Sequence, residues 1–266
     1  MSAPRVLLSG LALAQPMGGV VRHAREVLPR AARLLHERGG GLAILEGRGG
    51  LPLELPREVE RVPCPIPAGS TFVRASLETG RLRRALAEAE QAGRPFDLVH
   101  TAHLPAPGHL QVPFALLLHD LKALRSSHEP LSRRLVAREV VRRALRRAAL
   151  VLTVSEALRG EVLELGELSP ELVQVVPNAA DHLEPLARSP GEDAPLVHVG
   201  HVERRKNLAL LLHALAVDPT LPRLVLAGAP KGREDVRLRD LAARLGVSSR
   251  VEFVGLLDDA GLARLY

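Results

Sequence analysis

Aromatic residues are scarce in this chain of 266 residues, which has four Phe, one Tyr and no Trp. Proteins that hold single-stranded nucleic acid stack its bases on aromatic rings, so this scarcity argues against such a platform. Cysteine is scarcer still, and the single Cys64 cannot form an internal disulfide, which fits a reducing cytoplasm. No His stands beside Cys64 in the Pro-rich segment 62–67, which we read as a stiff loop. We therefore interpret Cys64 as a packing residue and not as a nucleophile.

Long hydrophobic runs are also missing. No stretch reaches the roughly 18 apolar residues that a membrane-spanning helix needs, so no such helix is predicted. The first residues have no apolar stretch behind a basic one, so we expect no signal peptide and a cytoplasmic protein. Gly and Pro, with 22 and 21 residues, follow no period, which excludes collagen-like repeats.

Lysine is rare although the chain is basic. Lys and Arg together number 36 against 30 acidic residues, a net charge of +6, and only Lys122, Lys206 and Lys231 are Lys. The Arg excess fits either a coding preference for Arg or an anionic partner. The positions of the few Lys residues are therefore more informative than those of the Arg residues.

Short apolar runs alternate with amphipathic segments along the whole chain, a pattern typical of α/β proteins with parallel sheets. Residues 47–69 are predicted to form a loop, and helix 74–92 is predicted to bury Leu77, Leu82 and Leu86. The pattern predicts strands at 5–9, 42–45, 96–100, 112–118, 150–154, 172–176, 196–199, 224–227 and 250–254. It predicts the other helices at 20–38, 131–149, 156–165, 208–216, 234–245 and 258–266.

The predicted organisation is two Rossmann-like, doubly wound domains. Residues 181–195 are rich in Pro and acids without periodicity, which indicates a linker. We place the first domain at 1–182, the linker at 183–195 and the second domain at 196–266. The second domain has only three predicted strands and a short last helix, so we expect it to be incomplete.

Ligands of parallel sheets bind at the carboxyl ends of the strands, and several chemistry-bearing residues fall there. Gly18 and Gly19 stand between the first strand and the first helix, where a backbone can approach a phosphate or a sugar, or simply turn. His119 directly follows the apolar run 112–118, and Asn178 follows the strand at 172–176. The alternatives are a structural His and an Asn that bonds its own backbone.

In the second half, strand ends carry glycine and cations. Gly200 and His201 lead into Arg204, Arg205 and Lys206 at a strand–helix junction, where a helix dipole and side chains can hold a diphosphate. A solvated basic turn is the alternative. Gly228 ends the next strand, and the backbone of Val254 and Gly255 could bracket a flat base.

The order of these motifs resembles the retaining group 1 (family 4-like) nucleotide-sugar glycosyltransferases, of the glycogen synthase and sucrose synthase type, over essentially the whole chain. The motifs are Gly18-Gly-Val, His119-Asp-Leu, Leu152-Thr-Val-Ser-Glu, Val176-Pro-Asn-Ala-Ala-Asp, Gly200-His-Val-Glu-Arg-Arg-Lys-Asn, Leu226-Ala-Gly-Ala and Val251-Glu-Phe-Val-Gly. The resemblance implies the GT-B fold, with two domains that face a cleft. It implies a nucleotide-diphosphate-sugar as co-substrate, bound mainly by the second domain, with no metal or other cofactor. The acceptor, held mainly by the first domain, would be a glycan, a lipid-linked saccharide or a small molecule.

The resemblance also implies residue roles. His119 would act beside the donor sugar, and Lys206 with Arg205 would neutralise the leaving diphosphate. The donor would be bound by Gly18, Gly19, Asn178, Gly200, His201, Arg204, Gly228, Val254 and Gly255.

The sequence departs from the family pattern in two respects. His201 stands where the family usually has Arg, and Arg204 or Arg205 could substitute. The family's acidic donor-binding motif would lie beyond Tyr266, so by domain size we expect roughly 100 residues of a full chain to be lacking. The sequence-based expectation is therefore a fragment with weak or no activity. The alternative is a non-catalytic module that binds a nucleotide or a partner.

Helix 131–149 presents Arg134, Arg138, Arg142 and Arg146 at every fourth position. We read it either as a surface helix that packs Leu135 and Val136 on the sheet, or as a basic face for an anionic membrane. The second reading corresponds to peripheral contact at the inner membrane face. No nucleic-acid recognition motif is present, so nucleic acid is not an expected partner.

Overall fold

The computed structural model describes residues 3–13, 19–67, 71–121, 124, 130–180 and 194–266. The chain divides into two compact units, Met1–Ala179 (unit 1) and Ala180–Tyr266 (unit 2). Most of the predicted linker, residues 183–193, lies outside the described residues. Each unit contains one parallel sheet.

Unit 1 has a parallel sheet of seven strands in the order β3-β2-β1-β4-β5-β6-β7. The strand order reverses direction between β1 and β4, which is where ligands of such sheets bind. The strands are β1 Arg5–Ser9, β2 Gly41–Arg48, β3 Glu60–Pro67, β4 Leu98–Thr101, β5 Phe114–Leu118, β6 Leu150–Thr153 and β7 Val173–Val175. The helices are α1 Gly19–Glu37, α2 Thr71–Gln91, α3 Leu131–Arg147 and α4 Glu156–Gly166, with a 3-10 turn at Pro170–Leu172.

Strand β3 was not predicted, because its prolines suggest a loop. The prolines at 63 and 65 alternate with the buried Cys64 and Ile66, so their missing N–H groups lie on one side of the strand. Because β3 is an edge strand that pairs only with β2, that side needs no ladder partner. Cys64 is thus a buried residue of a strand and not of a loop.

The core of unit 1 lies on both faces of the sheet, because side chains of a strand alternate between faces. Val6 and Leu8 of β1 join one apolar cluster, with Val21 and Leu28 of α1. Leu7 between them joins the other cluster, which contains side chains of α2 and α3. Strand β5 is buried at all five positions, as expected for a strand covered on both faces.

The inward faces of two helices differ from the prediction. Leu82 and Leu86 of α2 are buried as predicted, but Leu77 is 49% exposed and Glu78 takes the inward position in its place. Glu78, Leu82 and Leu86 recur every four positions and share one face. In α3, Leu135 and Val136 are 57% and 65% exposed. Within the described residues, no helix is both long and apolar enough to cross a bilayer.

Unit 2 has a parallel sheet of three strands in the order β10-β9-β8. The central strand β9 is buried at every position, and Leu212 and Leu238 pack in the adjoining core. The strands are β8 Leu196–Val199, β9 Leu224–Ala227 and β10 Val251–Gly255. The helices are α5 Ala209–Val217, α6 Glu234–Arg244 and α7 Asp259–Leu265, with 3-10 turns at Arg204–Lys206 and Ser248–Arg250.

Candidate functional site

His119 is the first residue after β5, at the carboxyl edge of the unit 1 sheet. Its Nε2 is buried and has no hydrogen-bond partner in the described part of the chain. Burial lowers the pKa of His119 to about 4; the charge of His23 lowers it further and that of Asp120 opposes the shift. The side chain is therefore neutral at physiological pH, with a ring nitrogen that no described residue engages.

His23 of α1 joins His119, although the site prediction did not include it. The two rings lie 4.9 Å apart between centroids, at an angle of 83°. The other side of His23 contacts Asn178, with Nδ1 3.0 Å from Oδ1. The structure thus brings two predicted residues, His119 and Asn178, to the same His23.

His100 of β4 also belongs to this edge of the sheet. Burial, followed by the charges of His23 and His103, lowers the pKa of His100 to about 4. The carboxyl ends of β4 and β5 therefore carry imidazoles that are neutral near pH 7.

Of the two glycines predicted to approach a ligand, Gly18 lies outside the described residues. Gly19 opens α1 and is exposed, and a Cβ built on it would meet no atom of the described residues within 4 Å. Packing within that part of the chain therefore does not require glycine at this position.

A second polar cluster lies buried at the ends of β1 and β4. The hydroxyl of Ser9 donates to Glu78 Oε1, and His103 Nε2 lies 3.0 Å from the same oxygen. Arg74 donates to His103 Nδ1 and to the carbonyl of Leu104, the latter at 2.9 Å, and lies 3.6 Å from Glu78. Burial lowers the pKa of Arg74, so Glu78 is its main compensation. The sequence signal for this cluster is the acid at an inward position of α2.

In unit 2, each strand of the sheet ends at a glycine with positive φ: Gly200, Gly228 and Gly255, at +136°, +147° and +70°. A Cβ on Gly228 would lie 1.9 Å from the carbonyl oxygen of Gly200. Gly228 N–H donates to Gly255 at 2.6 Å, and Gly200 N–H donates to Ala227 at 2.8 Å. The three predicted glycines therefore form one closely packed edge, and the half-buried Val254 lies beside it.

The three cations that follow β8 have different neighbours. Arg205 is paired with Glu203, whose other oxygen lies 3.8 Å from Lys231 Nζ. Glu234 has a lowered pKa, first through its hydrogen bond with Arg237 and further through the charge of Arg204. Of the three predicted cations, Arg205 is thus already engaged by a carboxylate.

The charge of Lys206 acts on His198 of β8. Burial is the main cause that lowers the pKa of His198, and the charge of Lys206 adds to it. His198 Nε2 is buried without a hydrogen-bond partner in the described residues. His201, where the family pattern has Arg, donates from Nδ1 to the carbonyl of Ala229 at 3.3 Å, so it bridges the ends of β8 and β9.

Comparison with known proteins assigns most of unit 1 to a protein family. Residues 17–182 match Glycosyltransferase Family 4. A curated relative, 2-deoxystreptamine N-acetyl-D-glucosaminyltransferase of Streptomyces fradiae, is 28% identical over 268 residues. The match takes in 86% of this chain but only 63% of the relative's length.

Two solved structures share the fold. Sucrose-phosphate synthase of Thermosynechococcus elongatus matches with a TM-score of 0.71 and 18% identity, over 98% of this chain and 72% of that one. HepE of Anabaena in complex with UDP matches with a TM-score of 0.59 and 20% identity, over 97% and 70%. The predicted α/β fold of GT-B type is confirmed.

Proposed function

This chain belongs to glycosyltransferase family 4, and we propose that it transfers a sugar from a nucleotide-diphosphate-sugar donor to an acceptor hydroxyl with retention of configuration. The observation that carries the donor class is the edge of unit 2, where the strands end at Gly200, Gly228 and Gly255 with positive φ and a basic turn at Arg204–Lys206 follows β8. Positive-φ backbone and cations at strand ends suit phosphate groups. HepE, which shares the fold, was solved with UDP.

Lys206 is the cation that we assign to the diphosphate. When the bond between the sugar C1 and its oxygen breaks, negative charge develops on the leaving diphosphate, and a fixed cation stabilises it. Arg204 and Arg205 would assist, although Arg205 must share its guanidinium with Glu203. With these charges in place, we propose that the transfer requires no metal ion.

His119 is assigned to the sugar. Its ring is neutral, and its buried Nε2 has no partner among the described residues. Both properties suit a hydrogen bond to a sugar hydroxyl. The acceptor would be a glycan, a lipid-linked saccharide or a small molecule. The Streptomyces relative, named as a 2-deoxystreptamine N-acetyl-D-glucosaminyltransferase, supports a sugar-like acceptor.

Nucleotide binding tests the donor assignment. Calorimetric titration of the chain with UDP and with GDP should detect binding of at least one. Lys206→Met should weaken it by roughly 10- to 100-fold, because a charge-assisted contact contributes about 1.5–3 kcal/mol. Arg244→Met, at the exposed end of α6, is the matched control and should change the affinity less than about twofold. Equal effects of the two substitutions would refute the role of Lys206.

A second candidate is a non-catalytic nucleotide-binding module of the same fold. The engagement of Arg205 by Glu203 and the His at position 201 favour it, because both reduce the positive charge directed at a diphosphate. Incubation with radiolabelled nucleotide sugars separates the candidates. Release of nucleotide diphosphate together with a labelled glycoside supports transfer, whereas binding without turnover supports the module.

We also propose peripheral contact of α3 with an anionic membrane. Leu131, Leu135 and Val136 are exposed on a helix that carries Arg133 and Arg138. Aliphatic side chains enter the interface while Arg residues bind anionic headgroups. Leu135→Glu should abolish cosedimentation with vesicles that contain anionic lipid, and Leu210→Glu on α5 is the control. Binding that does not depend on anionic lipid would contradict this proposal.

A further inference from the structure

His23 lies between two residues of the candidate site. Its Nδ1 is 3.0 Å from Asn178 Oδ1. An amide oxygen only accepts hydrogen bonds, so Nδ1 of His23 carries a proton. The hydrogen bond joins α1 to the segment after β7 and thereby selects both the tautomer and the orientation of His23.

The oriented His23 meets His119 in an edge contact. The centroid distance of 4.9 Å and the angle of 83° match a favourable aromatic arrangement. Such a contact restricts rotation of the His119 ring, because a turn about its Cβ–Cγ bond would bring the two rings into collision.

We propose that His23 is a positioning residue that sets the ring orientation of His119, and that Asn178 acts by holding His23. This inference rests on the proposed function only in that His119 contacts a sugar. The inference differs from the sequence prediction, which placed Asn178 in the donor site. Here the side-chain oxygen of Asn178 accepts a hydrogen bond from His23 of the same unit.

Nuclear magnetic resonance of the whole chain, labelled at the histidine ring nitrogens, tests the coupling without any substrate. In the unsubstituted chain, His23 should show the Nδ1–H tautomer. Asn178→Ala should abolish this tautomer preference, and Asn178 is exposed, so the fold should tolerate the change. His23→Gln should average the ring-proton shifts of His119, because the edge contact is lost.

A ring-preserving variant separates positioning from mere packing. His23→Phe retains a ring for the edge contact but loses the hydrogen bond to Asn178, so it should keep most of the dispersion of the His119 ring-proton shifts. His36→Gln, an exposed change on the same helix, is the control for the labelling and the fold. A His119 spectrum that is unchanged in both His23→Gln and Asn178→Ala would overturn the proposal.

Binding of UDP provides the second readout. His23→Gln should leave UDP affinity within about twofold, because the cations assigned to the diphosphate are Arg204, Arg205 and Lys206 of unit 2. Where transfer is measured, kcat should fall about tenfold with little change in KM, and His23→Phe should restore part of it. If the unsubstituted chain does not bind UDP, the donor assignment is refuted. The coupling between the two histidines is still tested by the magnetic resonance spectra.

Discussion

At the scale of single residues, neighbours in sequence have separate environments. Arg205 is engaged by Glu203, the charge of Arg204 acts on Glu234, and that of Lys206 acts on His198. The strand–helix junction predicts a cluster of positive charge, but it cannot predict how a 3-10 turn distributes three consecutive side chains around its axis. Lys206 consequently carries the most weight in the proposed diphosphate site.

The lowered pKa of His100 predicts acid destabilisation. The ordinary value is 6.5 and the folded value is about 4, so between these pH values the unfolded chain binds more protons than the folded chain. Stability is therefore lost as the pH falls from about 6.5 to 4, by up to about 3 kcal/mol for this residue. Urea unfolding of the chain and of His100→Gln, measured from about pH 8 to 4, should show a shallower loss in the variant. Parallel curves would contradict the assignment.

Gly228 predicts a severe local effect. Its φ is +147°, and the carbonyl oxygen of Gly200 lies 1.9 Å from the point that a Cβ would occupy, so there is no room for a side chain. Gly228→Ala should lower the free energy of unfolding of unit 2 by about 3–5 kcal/mol. Gly246→Ala is the matched control, since φ there is +71° but no atom of a described residue lies within 4 Å of the Cβ position. It should cost about 1–2 kcal/mol, the contribution of the backbone alone. Equal losses would show that the contact with Gly200 is unimportant.

At the scale of elements, α2 contains two ion pairs of the same spacing in opposite environments. Arg74–Glu78 is buried, with side chains 8% and 1% exposed, whereas Arg84–Glu88 has 70% and 57%. Glu78 also joins α2 to β1 through Ser9 and to the segment after β4 through His103. An acid on an inward stripe looks like a patterning error in the sequence, and only the neighbouring elements explain it.

The two pairs provide a direct comparison. Glu78→Gln should cost about 3–5 kcal/mol, because it leaves the charge of Arg74 buried without its partner. Glu88→Gln should cost less than about 0.5 kcal/mol, since exposed pairs at this spacing contribute little. Chemical denaturation of both variants measures the difference. A loss below about 1 kcal/mol for Glu78→Gln would mean that the buried network is relaxed or hydrated in solution.

Whether a strand or helix could be predicted from the sequence depended on what packs against it. Strand β5 was predicted because burial on both faces produces a run of apolar residues. Strand β3 was missed because proline is unfavourable in a strand unless the strand is at an edge, and edge position is a property of the sheet. The prediction for α2 was wrong at Leu77 for a similar reason. The inward position is occupied by Glu78, whose partners Ser9 and His103 lie outside the helix.

At the scale of the whole molecule, the chain divides into two compact units, each with its own apolar core. We therefore expect two transitions in differential scanning calorimetry. Glu78→Gln should lower the transition of unit 1, and Gly228→Ala that of unit 2, each by roughly 10 °C. A single transition that both substitutions lower equally would show that the units unfold cooperatively.

The sequence by itself determined the α/β class, the strand ends at which a ligand site is expected, and the candidates His119, Asn178 and Lys206. These follow from periodicity and from short-range motifs, which depend on neighbours a few residues apart. Only the tertiary structure decided that His23 meets Asn178, 155 positions away, that Ser9, Glu78 and His103 share one buried cluster, and that Gly228 must be glycine. Such contacts arise where strands distant in sequence end side by side, and no local pattern encodes which side chains then touch.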